Sequence, residues 1–141
     1  MATEWKSFRL GDLVDLVSDK VDVSKCRSYI STENMRPNFG GVSINNAPPE
    51  KGRYTKFRKG DVLFSNIRTY FRKVWAAEFD GACSNDVIVF RSSNEEILLA
   101  EYLHSIIRWD RFTEFTVKTS KGSKMPRGDK ASILSFEFFL P

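Results

Sequence analysis

The spacing of apolar and polar residues changes several times along this chain of 141 residues, and each change predicts an element. Leu10, Leu13, Val14 and Val17 recur at helical spacing and predict a short amphipathic helix. Runs rich in β-branched and aromatic residues predict strands at 29–35, 61–67, 74–78, 86–91 and 136–141. Helical spacing returns from Asn94, a predicted cap, to residue 107, then at 109–117 and 129–135.

The segment between the first two predicted strands is dominated by chain breakers. Residues 36–59 contain six Gly and Pro residues, which predict an extended surface loop. The order of elements as a whole predicts an α+β fold, with a small, twisted, largely antiparallel sheet and helices packed against it. A chain of this length forms one domain, which we assign to residues 1–141.

Composition favours a folded protein with no metal centre. Hydrophobic residues make up 41% of the chain, including 12 Phe and 3 Trp. Cys26 and Cys83 are the two cysteines, and neither belongs to a metal-ligand motif, so we expect buried thiols and a reducing compartment. With no signal-peptide pattern and no apolar run of about 20 residues, the prediction is a cytoplasmic protein that does not contact a membrane.

The positive charge is concentrated in two segments. Residues 51–73 and 118–130 contain 13 of the 22 Lys and Arg residues but only two of the 18 Asp and Glu residues, a net charge of +11. The remainder of the chain carries −7. If the two segments meet in space, they form the kind of basic surface that binds nucleic acid. The alternative is that both are ordinary solvated loops.

Candidate binding residues follow directly from these segments. Cations suit phosphates, whereas Arg and Asn can pair with the edges of guanine and adenine. The candidates are Asn66, Arg68, Tyr70, Arg72, Lys73, Lys118, Lys121, Lys124 and Arg127. Further amide candidates are Asn38, Asn45 and Asn46. For Tyr70 and Phe71, packing in the core is the alternative to a role at the surface.

The sequence offers little for catalysis. His104, the one histidine, stands among apolar residues and is predicted to lie at the edge of the core. No nucleophile elbow, phosphate loop or metal-ligand pair is visible. We therefore predict that the chain is not an enzyme and takes no cofactor.

Several short motifs carry a family resemblance by their order and spacing. They are Trp5, Leu10-Gly11-Asp12, Tyr29-Ile30-Ser31-Thr32, Gly60 to Tyr70, Cys83-Ser84-Asn85-Asp86, Tyr102-Leu103 and Gly122 to Arg127. In this order the chain resembles a target recognition domain of a type I restriction-modification specificity subunit. The likeness spans nearly the whole sequence.

The resemblance implies a non-catalytic reader of double-stranded DNA. In that family each domain reads one half of a split site, and long helices dock the methyltransferase and restriction subunits. This sequence ends at Pro141, where family members usually continue into a spacer helix, so we expect one reading domain. The loops at 36–58, 66–73 and 118–128 would converge on the major groove. The alternative is a protein-interaction module that does not read DNA.

Overall fold

The computed structural model describes residues 5–43 and 48–140. The strands are β1 (Lys6–Arg9), β2 (Val14–Leu16), β3 (Lys20–Asp22), β4 (Tyr29–Ile30), β5 (Arg53–Phe57), β6 (Val62–Ser65), β7 (Val74–Ala76), β8 (Gly81–Cys83), β9 (Val87–Ser92) and β10 (Glu137–Leu140). The α-helices are α1 (Leu10–Leu13), α2 (Ala100–Ile107), α3 (Asp110–Thr119) and α4 (Lys130–Leu134). Short 3-10 turns occur at Val23–Lys25, Thr32–Asn34 and Thr69–Phe71.

Within the described residues, the strands form two four-stranded sheets and a two-stranded ribbon. The central sheet has the order β2-β9-β6-β7 and is antiparallel throughout. The second sheet has the order β3-β5-β8-β4, in which β4 and β8 are parallel. The ribbon pairs β1 with β10 and so joins the two ends of the described chain. The predicted α+β class is confirmed, although the strands are divided among several sheets.

The central sheet is buried on both faces because its side chains alternate between two cores. Val62 and Phe64 of β6 pack in the core that includes the helices. Leu63, between them, packs with Phe57 and Trp75 in the core shared with the second sheet. The domain is therefore layered as helices, central sheet and second sheet. This arrangement fixes the hairpin formed by β6 and β7, from which the candidate site projects.

The structure differs from the predicted elements in four places, one of which is that the strand predicted at 29–35 ends at Ile30 and is followed by the 3-10 turn Thr32–Asn34. The helix predicted over 10–17 is a single turn, because Val14 and Leu16 pair with β9 instead. The predicted loop at 36–59 contains β5, which lies between β3 and β8. Asn94 caps a turn rather than a helix: its Oδ1 accepts from the N–H of Glu96 at 3.1 Å, and α2 begins at Ala100.

The predicted positions of several other elements are confirmed. Strands β6, β7, β9 and β10 and helices α3 and α4 lie where the sequence pattern placed them. The carboxylate of Asp129 caps α4 by accepting from the N–H of Ser132 at 3.2 Å. Cys83 is buried, and burial raises the pKa of its thiol to about 12, whereas Cys26 is half-buried. In the described part of the chain, no helix is both long and apolar enough to cross a membrane.

Candidate nucleic-acid interface

Two basic loops meet at one end of the β6–β7 hairpin. The first, which connects β6 to β7, comprises residues 66–73 and is called the hairpin loop. The second, residues 121–128, is called the C-terminal loop. The N–H of Arg68 donates to the carbonyl oxygen of Pro126 at 2.8 Å, and the N–H of Gly128 donates to that of Asn66 at 3.1 Å. The sequence left the proximity of these segments open, and the structure places them side by side.

The C-terminal loop is itself closed by backbone hydrogen bonds. Lys121 and Arg127 each donate their N–H to the other's carbonyl oxygen at 2.9 Å. Gly122 takes a φ of +99°, which a side chain would oppose. The residues between the two bonds, including Lys124 and Met125, are therefore held at the surface in a defined turn.

Part of the predicted 36–58 loop joins the other side of the hairpin loop. The N–H groups of Asn38 and Phe39 donate to the carbonyl oxygens of Phe71 and Arg72 at 2.9 and 2.8 Å. Asn38 is exposed beside this contact. Asn45 and Asn46, the other amide candidates in this stretch, lie outside the described residues.

Backbone strain is concentrated in these loops. Among residues 5–43 and 48–140, the non-glycine residues with positive φ are Asn38 (55°), Phe39 (60°), Arg68 (49°) and Arg72 (57°). Such conformations cost on the order of 1 kcal/mol or more each, and they persist only when the surroundings impose them. Strain of this kind is typical of binding sites.

Asn66 is a structural link between the two loops. Its side chain is buried, and its Nδ2 donates to the carbonyl oxygen of Gly128 at 3.1 Å. A Cβ at Gly128 would lie only 2.5 Å from Asn66 Oδ1, so the close approach requires glycine. That Oδ1 and the nearby Thr69 Oγ1 are buried without a hydrogen-bond partner in the described structure. The amide of Asn66 thus faces the C-terminal loop rather than open solvent.

Several of the predicted cations are already paired. Arg72 contacts Asp110 at 3.1 Å, Arg127 contacts Asp86 at 3.1 Å, and Lys121 lies 3.9 Å from Asp129. These pairs are wholly or partly exposed, so they contribute little stability and can exchange for a ligand.

The other cations are held differently. The Nζ of Lys73 donates to the carbonyl oxygen of Thr32 at 3.0 Å, and the guanidinium of Arg68 donates to that of Lys124 at 3.3 Å. Lys118, in the last turn of α3, and the ammonium of Lys124 make no ion pair with any described residue. Sequence analysis did not identify Asp86 and Asp110 as partners of the arginines, because residues far apart in the chain give no local signal.

The structure divides the basic segment 51–73 between two ends of the hairpin. Arg58 and Lys59 lie in the turn before β6, and the hairpin loop follows β6, about 13 Å away for a strand of four residues. In that far turn, Asp61 binds the guanidinium of Arg91 through both oxygens at 2.8 and 2.7 Å. Treating 51–73 as one basic region is therefore wrong, because a buried strand separates its charges.

Tyr70 and Phe71 are exposed at the tip of the hairpin loop, which excludes packing in the core. Their exposed fractions are 47% and 41%, and their ring centroids lie 4.9 Å apart. His104 is half-buried on α2, as predicted, and burial together with the nearby charge of Arg108 lowers its pKa. No three or more His, Cys, Asp or Glu side chains of the described ranges are grouped so that they could hold a metal ion.

Strained, basic loops on one end of an α+β domain define a surface suited to a polyanion. The chain belongs to the family of the type I restriction modification DNA specificity domain, whose model matches residues 2–141. The family resemblance drawn from the sequence is confirmed. None of the curated proteins matches the chain in sequence.

Solved structures support the same fold. A chain from a structure on complex assembly and conformational transition of the type I R-M system is 22% identical, with a TM-score of 0.72. The HsdS subunit from Thermoanaerobacter tengcongensis is 21% identical, with a TM-score of 0.70. In both, the match covers 97% of this chain and 38% of the other. The S subunit of the type I restriction-modification system from M. genitalium, 11% identical, gives a TM-score of 0.60 over 97% of this chain and 34% of that one.

Proposed function

We propose that this domain reads the sequence of double-stranded DNA as one half of a type I restriction-modification specificity subunit, and that it recognises one half of a bipartite site. The observation that carries this proposal is the joining of the two basic loops through Asn66 and Gly128. That contact collects cations from distant parts of the chain on one strained surface. Membership in a family of DNA specificity domains supports the same assignment.

Within this surface, the residue types suggest a division of roles. Lys73, Lys118, Lys121 and Lys124 would contact phosphates, because an ammonium group is a point charge without a preferred plane. Arg68, Arg72 and Arg127 would contact phosphates or pair with guanine, since a guanidinium presents two parallel donors. The ring of Tyr70 would contact the bases.

Asn66 takes a different role from the base contact that its residue type suggests. Its Nδ2 is occupied by Gly128, and its side chain is only 8% exposed. We assign it a positioning role: it holds the C-terminal loop against the hairpin loop. Asn38, which is exposed, is the better candidate for contact with adenine among the described asparagines.

Ion pairs at the surface give this reader a means of exchanging partners. Asp86 pairs with Arg127 and Asp110 pairs with Arg72 on this surface. A phosphate would replace the carboxylate at modest cost, because exposed pairs are worth about 1 kcal/mol or less. We expect the loops to converge on the major groove and the phosphate contacts to set the register.

The whole assembly extends beyond this domain, since the chain spans 38% of the first two structures it matches. We propose that it works with the methyltransferase and restriction subunits of a type I system. In that setting the domain is a cytoplasmic reader, and the chemistry belongs to the partner subunits.

A second candidate function is docking of another protein. Exposed rings of Trp5, Tyr102, Trp109 and Phe139 line a groove of about 490 Å³ between α2 and the β1–β10 ribbon. Apolar surfaces of this kind are typical of protein interfaces. If docking were the sole function, binding to DNA would be absent or independent of the basic loops.

Titration of the purified chain with duplex DNA at several salt concentrations tests the proposal. A single reading domain should bind weakly, with a dissociation constant of about 10⁻⁴–10⁻⁶ M for non-specific duplex at physiological salt. Affinity should fall steeply as salt rises, because phosphate contacts release counterions. A folded chain that binds no duplex even at low salt would contradict DNA reading and favour the docking function.

A further inference from the structure

We propose that Tyr70 and Phe71 form a wedge that partly unstacks one base step of the DNA, so that site choice depends on how easily that step opens. This inference rests on the proposed function. The domain would then select its site by how easily the DNA deforms as well as by contacts with base edges.

Both aromatic rings of the hairpin loop lie outside the core. Nearly half of each side chain is open to solvent, and the ring centroids of the pair lie 4.9 Å apart. The Nζ of Lys73 lies 5.8 Å from the centre of the Phe71 ring and keeps a cation beside it. An apolar pair bordered by cations suits a partner that offers flat apolar faces between negative charges, as stacked bases between phosphates do.

The backbone beneath the rings is fixed. The two residues end a 3-10 turn, Thr69–Phe71, whose flanking residues Arg68 and Arg72 are both left-handed. Hydrogen bonds hold this turn from both sides, through Arg68 to Pro126 and through Asn38 to Phe71. Thr69 is buried, so the turn is anchored from below as well. A turn held in this way loses little backbone freedom on binding, which favours insertion of its rings.

Candidate phosphate contacts surround the rings. Arg68 and Lys124 lie on one side of the turn, and Arg72 and Lys73 follow it in the chain. Cations on both sides can hold the strands while the rings enter between bases, which offsets the cost of unstacking. Flexible pyrimidine–purine steps open most easily, so they should be enriched at that place in the recognised half-site.

The test uses duplexes recovered from a random library by binding to the unmodified chain. Dyes at both ends report bending by energy transfer, and permanganate detects unstacked thymines. The unmodified chain should bend the duplex by about 20–90° and expose one base step to permanganate. A mismatch placed at that step should strengthen binding, because part of the unstacking is then already complete.

The double variant Tyr70→Ala/Phe71→Ala should lose the bend, the permanganate signal and the gain from the mismatch. Its affinity should fall by about 5- to 150-fold for each base that no longer stacks on a ring, with an unchanged salt slope since no cation is removed. Tyr70→Phe is the matched control and should retain all of these signals. Circular dichroism serves to check that each variant is folded.

Two results with the unmodified chain would contradict the wedge proposal, and the experiment distinguishes them. If the unmodified chain binds its selected duplexes without bending or unstacking them, the wedge is wrong and DNA reading stands. If the unmodified chain binds no duplex at all, the proposed function fails and the wedge fails with it. Both readouts come from the unmodified chain, so they do not depend on how well the variants fold.

Discussion

The two ends of the β6–β7 hairpin are both rich in cations, yet they are built differently. At the far end, the turn before β6 uses Gly60 at a φ of +94° and satisfies Asp61 with two hydrogen bonds from Arg91. At the loop end, Arg68 and Arg72 take positive φ values, and Asn66 Oδ1 lacks a partner in the described structure. Charge alone therefore does not distinguish the proposed interface from the far end of the hairpin.

The difference follows from what each end has to do. A glycine accepts a left-handed turn without strain, and the carboxylate of this turn is already paired. The far end therefore needs no bound partner to stabilise it. At the loop end, a strained backbone and exposed rings occur together, and such a combination persists where binding compensates it. Variants matched between the two ends test this interpretation.

The largest difference in stability is expected between variants of the two Asp–Arg pairs. Asp61→Ala leaves the guanidinium of Arg91 without its partner and should lower the free energy of unfolding by about 3 kcal/mol, the low end for a buried pair because Arg91 is partly exposed. Asp86→Ala, at the loop end, removes an exposed pair with Arg127 and should cost about 1 kcal/mol or less. Urea denaturation measures both.

For DNA affinity, the same two substitutions should rank the other way, with the larger effect from Asp86→Ala. Asp86→Ala removes a negative charge beside Arg127 and should strengthen binding, whereas Asp61→Ala should leave the affinity of the folded fraction unchanged. Weaker binding by Asp86→Ala would show that this carboxylate supports the interface instead of competing for it.

Two glycine substitutions give the next largest contrast. Gly128→Ala places a Cβ against Asn66 Oδ1 and should separate the two loops, with a loss of about 1–3 kcal/mol in stability and weaker DNA binding. A Cβ added by Gly60→Ala would meet open space, but the positive φ is unfavourable for alanine, as it is for the strained arginines. This variant should lose about 1–2 kcal/mol of stability and keep its DNA affinity. Thermal unfolding and duplex titration separate the two effects. Unchanged DNA binding by Gly128→Ala would mean that the link between the loops is not needed.

A smaller and more local effect is expected from the arginines. Arg68→Ala should relax discrimination at one base pair by about 1–3 kcal/mol, because removing a bidentate contact removes selectivity at a single position. Arg58→Ala at the far end should leave discrimination unchanged. Selection of bound sequences from a random library measures both, and an unaltered preference in Arg68→Ala would limit that residue to phosphate contact.

The sequence predicted well what depends on local pattern. Strands β6 and β9 are apolar along most of their buried length, and α4 has its cap at Asp129, so each was placed from its own residues. β5 was missed because it lies beyond a segment rich in Gly and Pro. The helix predicted over 10–17 was too long, because Val14 and Val17 continue the helical spacing although Val14 lies in β2.

The candidate site was predictable in residue type but not in arrangement. Basic residues of 66–73 and 121–127 stand out in the sequence, whereas the contact of Asn66 with Gly128 joins positions 62 residues apart. Nor does residue type separate an asparagine that pairs with a base from one that holds a loop. The separation of Arg58 and Lys59 from Arg68 likewise depends on the buried strand β6 that lies between them.

The salt dependence of DNA binding by two double variants decides whether the loop end of the hairpin is the interface. Lys121→Ala/Lys124→Ala and Arg58→Ala/Lys59→Ala each remove two positive charges, one pair at the loop end and one at the far end. The first variant should reduce the slope of log affinity against log salt by about two, since each phosphate contact that is removed reduces it by about one. The second should leave the slope unchanged. Equal slopes for both variants would refute this assignment, because DNA would then respond to total charge rather than to the loop end of the hairpin.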